Sequence, residues 1–249
     1  MSNHDSLQGI PSGLQFFDPK QEHTIAWKQL PHWAQTGTLV FITWRTADSL
    51  PRESIVCLSR QRQELLREHR IDPEGDWKRS LSQLPTVARG NLQWLLFTAW
   101  DERLDAAAGA CVLRESAISK IVMDSLLHFD MDRYVLTDAV VMPNHVHLLV
   151  AFREEGSLIT QCTSWKHYTA TMINKWLREN PASEVSQRHQ LVHTGSFWQV
   201  EQFDHLIRSI EEYDKYRRYI AENPEKAHLV SGSFRHYRKP IHGEGGIAR

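Results

Sequence analysis

Hydrophobic positions along this chain recur with two different periods. The run Gly37-Thr-Leu-Val-Phe-Ile-Thr-Trp44, rich in β-branched and aromatic residues, predicts a first strand, and Pro51 closes that element. Residues 133–142 and 145–152 predict two more strands joined at a Pro143-Asn144 turn, and 197–203 has strand character. Helical spacing marks 54–69, 77–108 with interruptions near Pro85 and Gly90, 115–128, 157–178 with Ser157 as N-cap, and 207–222 closed by Asn223-Pro224. Asp72-Pro-Glu-Gly75 and the polar stretch 180–195 read as loops, and residues 1–30 as a polar segment of little period.

Setting aside 48–112 as a helical insertion, the order is strand, helix, strand, strand, helix, strand. That order predicts an α+β fold, a ferredoxin-like split βαβ antiparallel sheet with helices on one face. The expected organisation is an N-terminal segment 1–30, a catalytic domain 31–230 carrying the insertion, and a basic C-terminal tail 231–249.

A chain of 249 residues suits one large domain. No apolar run approaches membrane-spanning length, the N-terminus has no signal-peptide pattern, and three scattered cysteines suggest neither disulfides nor a zinc ribbon. A reducing cytoplasm is the expected home. A net charge of −1 confines any nucleic-acid surface to local patches. One such patch is Ser231–His242, where Arg235, Arg238 and Lys239 interleave with Phe234 and Tyr237; a solvated terminus is an equal reading.

The chemistry concentrates in Met142-Pro-Asn-His-Val-His147. Alternation along a strand sends His145 and His147 to one face, half of a divalent-metal site that needs one further ligand; a histidine pair that merely bonds its neighbours is the plain alternative. On the helix 157–178, Leu158, Cys162, Trp165, Thr169, Ile173 and Trp176 form an apolar stripe, and Tyr168 lies roughly a quarter-turn from its centre. Such a tyrosine is ordinarily structural, but beside a metal its phenol can attack a phosphodiester and retain the 5′-phosphate as a covalent ester.

These segments, in chain order from about residue 30 to 230, resemble the REP-associated tyrosine transposases of the HUH superfamily. The resemblance is carried by Leu30-Pro-His-Trp33, Phe41–Pro51, Val140–His147, Ser164–Asn174, Phe197–Arg208 and Tyr219-Ile-Ala-Glu-Asn-Pro224. It implies metal-dependent cutting and joining of single-stranded DNA at imperfect palindromic hairpins, with Mg²⁺ or Mn²⁺ and no small-molecule cofactor, by a monomer or homodimer. It implies His145 and His147 as ligands and Tyr168 as nucleophile, either within one chain or, in a homodimer, with the tyrosine helix of one chain serving the metal site of the other. Related enzymes often carry a polar third ligand one turn after the tyrosine, and here that position is Met172, a poor partner for a hard cation. Gln199, Glu201 and His205 are the candidates to replace it, with Asn174 weaker; Arg45, Lys166 and Arg208 join the three tail cations as candidate DNA contacts. Two other readings stay open: a domesticated protein that holds hairpins without cutting, and a metal hydrolase in which water attacks and Tyr168 is structural.

Overall fold

Every residue of the strands Leu39–Arg45, Tyr134–Val141 and His145–Phe152 is buried, so these strands face two cores rather than one core and water. The computed structural model describes residues 14–240 except 19, 23, 28–30, 107, 155–156, 193–194 and 201. In chain order the elements are β1 (Thr24–Trp27), β2 (Pro31–Ala34), β3 (Leu39–Arg45), α1 (Arg52–Glu68), α2 (Trp77–Gln83), α3 (Thr86–Asp105), α4 (Ser116–Leu127), β4 (Tyr134–Val141), β5 (His145–Phe152), α5 (Ser157–Glu179), α6 (Glu184–Val192), β6 (Phe203–Leu206), α7 (Ile210–Lys226) and β7 (Arg235–Arg238). The fold is α+β. Strands β6-β3-β5-β4-β7 form an antiparallel sheet, and β1 and β2 pair separately.

The first four sheet strands have the split βαβ order expected from the sequence. On one face, Val40, Ile42 and Trp44 of β3 and Val146, Leu148 and Val150 of β5 pack with Ile118 and Val122 of α4 and Cys162, Trp165 and Ile173 of α5. Residues of opposite parity, Phe41, Leu149 and Ala151, pack with Phe97 of α3 and Tyr213, Tyr216, Tyr219 and Ile220 of α7. Helices therefore cover both faces, one more layer than the expected single-faced arrangement. The second layer comes from α7 and from α3, the last helix of the presumed insertion.

Other departures are local. Pro85 separates α2 from α3, whereas α3 runs through Gly90, since one glycine costs a helix only about 1 kcal/mol. Residues 184–192, expected as loop, form α6 because Val185 packs in the core and the Ser186 hydroxyl reaches the Leu177 carbonyl. The strand expected at 197–203 lies at Phe203–Leu206; Phe197 and Trp198 instead fill the first core beside Trp44. Helix α7 continues past the expected stop, with Pro224 in its final turns.

The tail is not wholly a free appendage. Arg235–Arg238 pair with Asp138–Val141 of β4, the Arg235 guanidinium donates to Ser116, and Lys239 Nζ lies 2.6 Å from Asp130 Oδ2. Pairing of this edge supplies order that composition could not reveal. Residues 1–13 and 241–249, parts of the expected N-terminal segment and tail, lie outside the described residues. Among the described residues no helix is long and apolar enough to cross a membrane.

Candidate metal centre and its tyrosine

The turn at Pro143-Asn144 delivers His145 and His147 to the face of β5 covered by α3 and α7, and both side chains are buried, 1% and 0% exposed. Cross-strand pairing sets Thr43 opposite His147 and Arg45 opposite His145. Thr43 Oγ1 lies 2.6 Å from His147 Nδ1. Asn144 fixes the other ring. Its Nδ2 donates to the carbonyls of Leu104 and Ala108, 3.2 Å each, so its Oδ1 faces His145 Nδ1 at 2.7 Å and accepts a proton from it. The Nε2 lone pair of His145 is thereby left free, the tautomer a metal ligand needs.

Asp101 of α3 completes the group. Its Oδ1 is 3.2 Å from His147 Nε2, and one ligand atom from each of Asp101, His145 and His147 falls within 4.8 Å of the others. Asp101 Oδ1, His145 Nε2 and His147 Nε2 are buried without a well-aligned hydrogen-bond partner. So are both carboxamide atoms of Asn223, a residue with no exposed surface whose side chain acts on Asp101 and His145. Beyond the 3.2 Å approach of Asp101 to His147 and the action of Asn223 on Asp101 and His145, these buried atoms have no well-aligned partner, and a divalent cation can satisfy their converging lone pairs together. The residues present therefore fit a metal ion.

Electrostatics favours a neutral His145 and an ionised Asp101. Burial, then the neighbouring His147, pushes His145 down to about 3, so it stays neutral. Burial alone would raise the Asp101 carboxyl, but the His147 imidazole overrides it and holds the group below its ordinary value. Asp105, one turn on, is pushed up to about 6 by burial and by the charge of Asp101.

Helix α7 brings the nucleophile candidate. Ser209 caps it by accepting from Glu212 N at 3.2 Å, Glu211 and Glu212 occupy its first turn, and Arg217 Nε donates to Asp138 Oδ2 at 3.1 Å inside the protein. Spacing of three to four residues puts Tyr213, Tyr216, Tyr219, Ile220 and Asn223 on the buried stripe. The Tyr219 hydroxyl donates to Asp101 Oδ2, and its ring centroid is 5.4 Å from that of His147.

Tyr168 sits elsewhere. The stripe of α5 packs on the opposite face of the sheet from the histidines, and Tyr168 is 52% exposed. Within one chain the structure brings His145 and His147 together with Tyr219, not with Tyr168. One turn beyond Tyr219 stands the polar Asn223, where Met172 stands one turn beyond Tyr168.

The three candidate third ligands lie in different settings. His205 Nε2 is engaged with Glu212 Oε1 at 2.7 Å and with Arg208, Gln199 belongs to the wall of a neighbouring cavity, and Glu201 lies outside the described residues. Asp101 was missed because it belonged to the block set aside as an insertion. Its signal was a lone carboxylate between Phe97 and Leu104 on an apolar helical stripe. For Tyr219 the signal was the pair Tyr219/Asn223 at four-residue spacing beside Pro224.

Among the candidate DNA contacts, Arg45 is buried on the metal face, Lys166 donates to Val200 O and Gln202 Oε1, and Arg208 turns inward to His205 and the Leu206 carbonyl. Arg238 lies 4.0 Å from Asp138.

No family model and no curated protein matches this chain. Among solved structures, a REP-associated tyrosine transposase bound to a REP hairpin is similar over 80% of this chain and 73% of that one, at 14% identity and a TM-score of 0.40.

Proposed function

We propose that this protein is a divalent-metal-dependent endonuclease and strand transferase for single-stranded DNA, acting beside REP-type hairpins through a covalent 5′-phosphotyrosine on Tyr219. One observation carries the reading: a phenol hydroxyl hydrogen-bonded to the carboxylate of a buried Asp-His-His cluster. The hairpin substrate and the transposase-like role come from the sequence resemblance.

Asp101, His145 and His147 would hold Mg²⁺ or Mn²⁺, with Asn223 beside them. When bound, the ion supplies Lewis-acid polarisation of the scissile phosphate. In the reaction, Asp101 Oδ2 takes the Tyr219 proton as the phenolate oxygen attacks phosphorus. The P–O3′ bond breaks, and the departing 3′-oxygen leaves as a hydroxyl after gaining a proton from solvent. Attack by a 3′-hydroxyl on the phosphotyrosine reverses these bonds and joins strands without ATP. Thr43 and Asn144 hold the imidazoles in orientation, and the burial of Tyr219 limits access of water to the ester.

One chain contains every group this reaction needs, which supports a catalytic unit that does not borrow a tyrosine from a partner. The test is incubation with labelled single-stranded DNA carrying the imperfect palindromes nearest the protein's own gene, with Mn²⁺ or EDTA, followed by denaturing electrophoresis. A metal-dependent adduct supports the proposal. Hairpin binding with neither adduct nor cleavage supports the non-cutting alternative, and cleavage without adduct in both wild type and Tyr219→Phe supports attack by water.

A further inference from the structure

A cavity of about 310 Å³ opens between the β3–β6 edge and helices α1–α3, and Asp101 forms part of its wall. That volume is at the lower end of small-ligand sites. Resting on the strand-cutting function proposed above, we infer that this cavity receives one unpaired nucleotide of the DNA strand flanking the hairpin, its base on the aromatic wall and its phosphate toward Arg45.

Three features of the lining fit that ligand. Trp77, Phe97, Trp100 and Phe203 supply ring surface on which any base can stack. Gln202 is 3% exposed; its Oε1 is committed to Lys166 Nζ at 3.0 Å, while its Nε2 has no hydrogen-bond partner. A buried amide donor fixed in orientation and lacking an acceptor suits the ring nitrogen or carbonyl of a base edge.

Arg45 is the third feature. It is 8% exposed, stacks over Trp100 at 5.2 Å, and donates to Ser49 Oγ at 3.0 Å. Among the described residues it makes no ion pair, and its register position opposite His145 keeps this cation at the metal centre. Its hydrogen bonds go to neutral groups, Ser49 Oγ and the Thr46 carbonyl, and although the Asp48 carboxylate acts on it from beyond ion-pair distance, its guanidinium keeps donors suited to a phosphate. The helices α1–α3 thus gain a role in selecting the strand as well as in supplying Asp101.

The experiment uses the full chain with Mn²⁺ and the hairpin DNA described above, each unpaired flanking nucleotide replaced in turn by an abasic site, with affinity read by fluorescence anisotropy. One position is expected to weaken wild-type binding about tenfold, the scale of one lost base stack. In Trp77→Ala and in Gln202→Ala that sensitivity is expected to vanish. A flat scan on the wild-type chain, which needs no variant, overturns the inference, as does sensitivity undiminished in a folded variant. An adduct with a flat scan removes the cavity alone. A sensitive position without any adduct removes the cutting function and leaves the cavity, and failure to bind any hairpin DNA removes both.

Discussion

The Tyr219 hydroxyl donates to the Asp101 carboxylate, joining α7 to α3 across 118 positions of sequence beside the His145–His147 pair. Each partner comes from a helix on the same face of the sheet. The bond therefore depends on both helices docking, and variants that disturb either docking or ligand orientation have readable consequences.

Asn144 links the histidine strand to the end of α3. In Asn144→Ala the His145 ring loses its Nδ1 acceptor, and the carbonyls of Leu104 in α3 and Ala108 just beyond it lose a donor. Mn²⁺ affinity is expected to fall 10- to 100-fold, roughly the effect of removing such an orienting partner, as measured by titration calorimetry. Unchanged affinity would show that the ring is oriented by other means.

Two imidazole nitrogens and one carboxylate form a donor set better matched to Mn²⁺ than to Mg²⁺, which prefers oxygen and gives up water reluctantly. Mn²⁺ is expected to bind more tightly than Mg²⁺, and Asp101→Ala to weaken both. Equal affinities for the two ions would point to a site made mainly of oxygen.

Acid should destabilise the metal-free protein. Burial lowers His205, and burial with the neighbouring His147 lowers His145, so below the ordinary histidine value of about 6.5 the unfolded chain binds protons that the folded chain refuses. These two histidines contribute stability that is present at neutral pH and lost as pH falls, by up to about 1.4 kcal/mol per pH unit each, and Asp105, raised to about 6, takes up its proton first in the folded state and offsets part of that loss. Urea unfolding in EDTA at pH 7, 6 and 5 checks the slope; a flat profile would contradict it.

The pair Arg217–Asp138 is 4% and 1% exposed and fastens α7 to β4 two residues from Tyr219. Asp138→Ala leaves a buried guanidinium without its carboxylate and is expected to cost about 3–5 kcal/mol in urea unfolding. Replacing both residues by Leu and Met is expected to recover much of that loss, since the desolvation cost of the pair disappears with it.

Much of this architecture is legible in the sequence, for physical reasons. Unbroken apolar runs on either side of the Pro143-Asn144 turn define β4 and β5, both buried throughout, and alternation of side chains along a strand puts His145 and His147 on one side. Which face that side meets is not local information. Cys162 and Trp165 on α5 and Tyr216 on α7 mark comparable apolar stripes, so a helical wheel cannot tell which helix covers the histidines. Tyr168 is a residue of the same type at an exposed position of α5, and within one chain that helix packs on the sheet face opposite the histidines. Asp101 was hidden by distance: its contact with His147 spans a helical block that no short motif connects to β5.

The most direct measurement of the central claim is the covalent adduct formed with Mn²⁺ and labelled hairpin DNA by wild type, Tyr219→Phe and Tyr168→Phe, each shown to be folded. The account expects an adduct with wild type and with Tyr168→Phe and none with Tyr219→Phe. An adduct that persists in Tyr219→Phe and disappears in Tyr168→Phe would contradict the assignment of the nucleophile to α7.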